Sequence, residues 1–91
     1  MKLHKVQISA MNNHVELLQY LIKNGADVNN KTIDGNSTLM WATWKGHLKI
    51  IKILLESGAD KNSQNIGDDT PLSLARKLKN EDLINILLSG D

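Results

Sequence analysis

The segment Gly25-Ala26-Asp27-Val28-Asn29 returns thirty-three residues later as Gly58-Ala59-Asp60-Lys61-Asn62. The same offset pairs His14 with His47, Leu21 with Leu54, Ile33 with Ile66, Leu39 with Leu72 and Ala42 with Ala75. It also carries Ile51, Ile53, Leu54 and Leu55 onto Ile84, Ile86, Leu87 and Leu88 without insertion or deletion. A fixed period of this length means that one supersecondary unit is repeated, and that neighbouring units cover the apolar face each cannot bury alone.

Within one period the local structure is legible. In Leu48 to Glu56 the apolar positions recur at helical spacing over more than half the circumference, which predicts a helix covered on two sides. Ser57-Gly58 ends it, because glycine accepts the left-handed conformation that terminates helices. The stretches before Gly25 and before Gly90 repeat this design. A shorter helix precedes each long one. Thr70-Pro71 reads as an N-cap followed by proline at the first helical position, where the missing amide costs nothing. Ser37 to Ala42 takes the same place in the middle unit, with Gly46 as the stop and His47 opening the next helix. Ala42 and Ala75 are small where two helices must approach closely. The polar stretches from Gly25 to Ser37 and from Gly58 to Asp69 are rich in turn formers, which predicts projecting hairpin-like loops and not strands of a sheet.

Ninety-one residues fit a single domain, near the smallest size at which one core sustains itself. With aromatic residues at 3% and no Phe, the core must be aliphatic, so each Trp needs its own reason. A formal charge of +1 argues against nucleic acid or an anionic membrane as the main partner. The absence of cysteine excludes disulfides, thiolate metal sites and cysteine nucleophiles. No apolar run is long enough to span a bilayer, and the Met1 to Lys5 segment is followed by no secretory signal core. The expected location is intracellular, in the cytoplasm.

The sequence resembles the ankyrin-repeat family. That family's pattern of T-P-L-H-x-A, G-H, L-L and G-A-D-V-N is matched at Thr70-Pro71-Leu72, Gly46-His47, Leu54-Leu55 and Gly25 to Asn29. The resemblance implies an all-α solenoid of stacked helix-turn-helix units with β-hairpin-like loops. We expect one domain over residues 1–91, with repeats at about 1–33, 34–66 and 67–91. The chain departs from the pattern at three places. Thr38 replaces the proline, Asp34-Gly35 becomes Gly67-Asp68, and Lys79-Asn80 replaces the glycine-histidine pair of the last unit. Terminal repeats are expected to be atypical because one flank of each meets water. The polar set Arg76, Lys77, Lys79, Asn80, Glu81, Asp82 and Asn85 suits a cap.

No constellation of catalytic chemistry emerges. His14 and His47 share one repeat position, which makes them structural, and His4 is isolated. Asp27 and Asp60 belong to turns where a carboxylate holds backbone amides. We therefore expect no enzyme activity, no catalytic residue, no metal and no cofactor. The resemblance implies instead a protein partner on the concave face of the stack, with neither nucleic acid nor membrane involved. Its variable recognition positions fall on Lys31, Ile33, Asp34, Asn36, Trp44 and Lys45. Their counterparts are Met11 and Asn12 before, and Gln64, Ile66, Asp69, Lys77 and Leu78 after. Trp41 is expected in the core, where the next repeat has Leu74. Trp44 is the sharpest binding candidate, set against covering its own stack. Ile33 and Ile66 either contact a partner or tuck against the adjacent loop. Asn29 and Asn62 resemble side-chain hydroxylation sites of the family, although the turn gives each a sufficient structural role. Self-assembly is the rival reading, through repeat ends or exchanged repeats where the poorly specified first unit exposes apolar helix surface, with a monomer favoured over a homo-oligomer.

Overall fold

A computed structural model describes residues 3–89. The helix stop expected at Gly90 lies outside the described residues, as do Met1, Lys2 and Asp91. Six helices follow one another: α1 (Lys5–Met11), α2 (Val15–Lys23), α3 (Thr38–Lys45), α4 (Leu48–Glu56), α5 (Pro71–Lys77) and α6 (Glu81–Ser89). Each short helix packs on the long one that follows it. The short helices form one row, α1 on α3 on α5, and the long ones a second row, α2 on α4 on α6. Among the described residues there is no strand, only an isolated antiparallel bridge between Lys31 and Ser37 at the base of the first hairpin loop.

The helix starts are chemically explicit. Ser37 Oγ accepts from the Met40 amide at 3.2 Å, and Thr70 Oγ1 accepts from the Ser73 amide at 3.1 Å. Ser73 Oγ reciprocates by accepting from the Thr70 amide at 2.9 Å, which completes a capping box ahead of Pro71 at the first helical position. Ser37 therefore caps without the proline, so Thr38 in its place costs the middle unit none of this geometry.

Burial follows the stacking. Ile50, Ile51 and Leu54 of α4 are fully buried, because α4 has a neighbouring helix on both sides. In α2, on the outside of the row, only Leu18 is buried. Ala42 and Ala75 are fully buried, as small residues at a close helix approach should be. The core cluster joins these to Val6, Ala10, Val28, Leu39, Leu83 and Leu87. Trp41 does not join it. It is half-buried, and its covered indole Nε1 has no hydrogen-bond partner. Leu74, at the same position of the next unit, is buried. Its ring meets Trp44 edge-on, with centroids 5.3 Å apart and planes at 60°.

Backbone conformation is conserved across the units even where the side chain does not favour it. Asn13, Gly46 and Lys79 occupy one position of the period and all are left-handed, at φ 58°, 71° and 55°. Gly35 and Asp68 are a second such pair, at φ 80° and 64°, so the exchanged Gly67-Asp68 leaves the loop's register unchanged. A Cβ on Gly35 would also stand 3.0 Å from the Asn65 backbone Cα. The left-handed conformation costs a branched-at-Cα residue about 1–2 kcal/mol, against about 0.5–1 kcal/mol of extra chain entropy for glycine. Lys79→Gly should therefore stabilise the chain by about 0.5 kcal/mol, a rise of a few degrees in Tm. Gly35→Ala should destabilise it by about 1–2 kcal/mol. Thermal unfolding followed by circular dichroism checks both.

Candidate functional site

The hairpin loops are built twice to the same hydrogen-bond plan. In the first, the Thr32 amide donates to the Asn36 carbonyl at 2.9 Å and the Gly35 amide to the Thr32 carbonyl at 2.9 Å. In the second, Asn65 donates to Asp69 at 3.0 Å and Asp68 to Asn65 at 3.0 Å. Side chains brace the interior of each. Thr32 Oγ1 accepts from the Asn36 amide at 3.2 Å, while Asn65 Oδ1 accepts from the Gly67 and Asp69 amides at 2.9 and 3.0 Å.

The two loops are then fastened together. The Ile66 amide donates to the Asp34 carbonyl at 2.9 Å, and Asn65 Nδ2 donates to Asn36 Oδ1 at 2.9 Å. A second seam runs beside them at the Gly-Ala-Asp turns. Asp27 and Asp60 each accept from the amide two residues on, at 2.8 and 2.9 Å. Asn29 reaches across, donating to the Gly58 carbonyl at 3.3 Å and accepting from the Asp60 amide at 2.8 Å. A third contact fixes the short helices. His47 Nε2 meets the Met11 carbonyl at 3.1 Å, and since a carbonyl only accepts, this nitrogen carries the proton. The repeated histidine position is thus structural at His47.

This bracing leaves two apolar side chains standing in water. Ile33 is 90% exposed and Ile66 is 82% exposed. Neither tucks against its neighbouring loop, and the Ile66–Asp34 backbone bond puts the two loop tips side by side. On the short-helix row, Trp44 is 36% exposed and Lys45 is exposed beside it. Lys31 and Asp34 are exposed on the first loop.

Other residues expected at the site also make contacts within the chain. Asn36 is half-buried and bonded to Asn65, and Met11 is half-buried with its backbone carbonyl bonded to His47. Lys77 Nζ lies 2.7 Å from Asp69 Oδ1 in an ion pair whose lysine side chain stays 67% exposed. Two structural residues escaped the sequence reading. Gln7 is fully buried and its amide donates to the Asn30 and Asn36 carbonyls at 2.9 and 3.3 Å, fixing the first helix to the first loop. An isolated glutamine gives no periodic signal. Asn65 was equally silent, because Thr32 does its work one unit earlier. Among the described residues, no three of His, Asp or Glu converge in a way that could hold a metal ion, and no helix is long and apolar enough to cross a membrane.

The Lys77 ammonium, followed by the Ser73 hydroxyl, holds the Asp69 carboxyl below its ordinary value of 3.8. Its folded-state value lies below the unfolded one, so the unfolded chain binds the extra proton in acid. The stability Asp69 contributes is therefore present above the ordinary carboxylate range and is lost as pH falls from 3.8 through the lowered value. Asp69→Asn should flatten this part of the acid limb, measured as the urea midpoint against pH, and an unchanged limb would remove Asp69 from the linkage.

Compared with known families, the chain matches the family described as ankyrin repeats (3 copies) over residues 5–65. No curated protein matches it. Two rows of helices at a fixed period, left-handed stops at equivalent positions and paired hairpin loops agree with that match, and the chain belongs to the ankyrin-repeat family.

Proposed function

We propose that this chain is an intracellular, non-catalytic interaction module that binds a partner protein across the concave side of its repeat stack. Ankyrin repeats generally mediate protein–protein interaction. The observation that carries the finer reading is the pair Ile33 and Ile66, two β-branched apolar side chains in water on loops that hydrogen bonds have already made rigid. A rigid scaffold lowers the ordering cost of binding, so apolar area at its tips converts more fully into affinity. Trp44 supplies the larger anchor, with Lys45, Lys31 and Asp34 as a charged rim. Asn36, Met11 and Lys77 complete the proposed contact set: Asn36 also braces the two loops through Asn65, Met11 lends only its backbone carbonyl to His47, and the Lys77 side chain stays 67% exposed beside Asp69.

A second reading, self-assembly through the ends of the stack, is favoured by one separate observation. Leu17 and Tyr20 are exposed on the outer side of α2, whereas their counterparts on α4, Ile50 and Ile53, are buried and half-buried.

Quantitative affinity capture from native cell extract tests the first reading. Trp44→Ala should weaken retention of the bound protein by about 2 kcal/mol, and Ile33→Ser and Ile66→Ser by about 1 kcal/mol each. The two isoleucine variants should unfold within about 0.5 kcal/mol of the parent. Lys49→Ala, on the opposite row of helices, serves as the control. Retention indifferent to all three site variants, or lost equally with the control, contradicts concave-side binding.

A further inference from the structure

We propose that the outer flank of the first helix pair is a self-association surface that takes a second copy of this chain in an antiparallel, two-fold arrangement, closing at a dimer. This rests on the self-assembly reading and supplies its geometry.

The period allows each side chain to be judged against its own counterpart in a covered unit. Leu17 is 45% exposed, while Ile50, one period on, is fully buried with α2 packed beside its helix. Tyr20 is 64% exposed against a half-buried Ile53, and Ile8 is 43% exposed against a half-buried Trp41. These three apolar side chains lie at positions that are more covered in the inner unit, and each stays 43% to 64% exposed here. They form a patch and not a scatter, because Leu17 and Tyr20 stand three apart on one helix face and α1 packs against α2.

The charge pattern says what fits the patch. Glu16, Tyr20 and Lys23 fall at i, i+4 and i+7, one stripe along α2 beside Leu17, with the acid in the first turn and the base in the last. Seven residues separate the charges by about 10 Å along the axis. A second α2 laid antiparallel places Glu16 against Lys23 at both ends and puts the Leu17 and Tyr20 side chains at the centre. A parallel partner would set like charge on like. The pattern is complementary to itself under a two-fold axis, which is the requirement of an isologous interface.

The other end of the stack explains why assembly stops. Arg76 occupies the position held by Ala10 and Thr43, both fully buried under the following unit. Lys61 occupies that of Val28, which is also buried, and its Nζ donates to the Leu87 carbonyl at 3.3 Å near the end of α6. Stacking a first unit onto a last one would desolvate the Arg76 guanidinium and bring Lys5, from the position of the fully buried Thr38, onto the same buried face. Head-to-tail growth is thereby opposed, and association through the first unit closes on itself.

Sedimentation velocity on the full chain, from micromolar to millimolar concentration, tests the proposal, with circular dichroism confirming equal helix content in every variant. The expected result is a monomer passing to a dimer and no further. Leu17→Glu should raise the dimer Kd by about tenfold or more. Glu16→Lys and Lys23→Glu should each weaken the dimer, and the double exchange should restore it. A wild-type chain that stays monomeric throughout overturns both the dimer and the self-assembly reading. Association that grows beyond two copies, ignores Leu17→Glu, or is not restored by the double exchange leaves self-assembly standing and overturns this geometry.

Discussion

Everything in this fold depends on the contact between one helix pair and the next. A helix of seven to nine residues is too short to be stable alone in water, and none of the three pairs encloses a core by itself. Each gains its stability by laying an apolar flank on its neighbour, and the gain is unequal along the row. The middle long helix fully buries Ile50, Ile51 and Leu54, each worth roughly 1.5–3 kcal/mol. The first long helix buries Leu18 alone. Stability is therefore concentrated in the centre and thins towards the ends, as expected for a chain in which contacts run only between nearest neighbours.

Translation by one period is also the logic of the hydrogen bonds. Asn29 clasps the next turn, Asn65 clasps the previous loop, and His47 clasps the previous short helix. Each bond ties a residue to its neighbour one unit away, so polar and apolar contacts select the same register. The same translation forces Asn13 and Lys79 into the conformation natural to Gly46. Local preference yields there to the geometry of the stack.

That division explains what could be read from the chain. Helix positions were legible because Leu48 to Glu56 carries its periodicity in every residue, and because Thr70-Pro71 is a start signal with a mechanism. The turns at Asp27 and Asp60 were legible for the same reason. Trp41 is half-buried against Trp44 and not in the core, because alignment reports which position a residue occupies and not how deeply it is covered there. Gln7 and Asn65 were invisible, since a bond to a distant carbonyl leaves no trace in spacing. Of the candidate binding residues, Ile33, Ile66 and Trp44 stand exposed as a recognition role requires. Asn36 and Met11 are half-buried, which their position in the period does not disclose.

Native-state hydrogen exchange resolved to single amides tests the dependence on stacking most directly. The account predicts that amides of α3 and α4 exchange slowest, at the rate of global unfolding, while α1, α2 and α6 open earlier in separate steps. Uniform protection across all six helices, or an end helix outlasting α4, would contradict it.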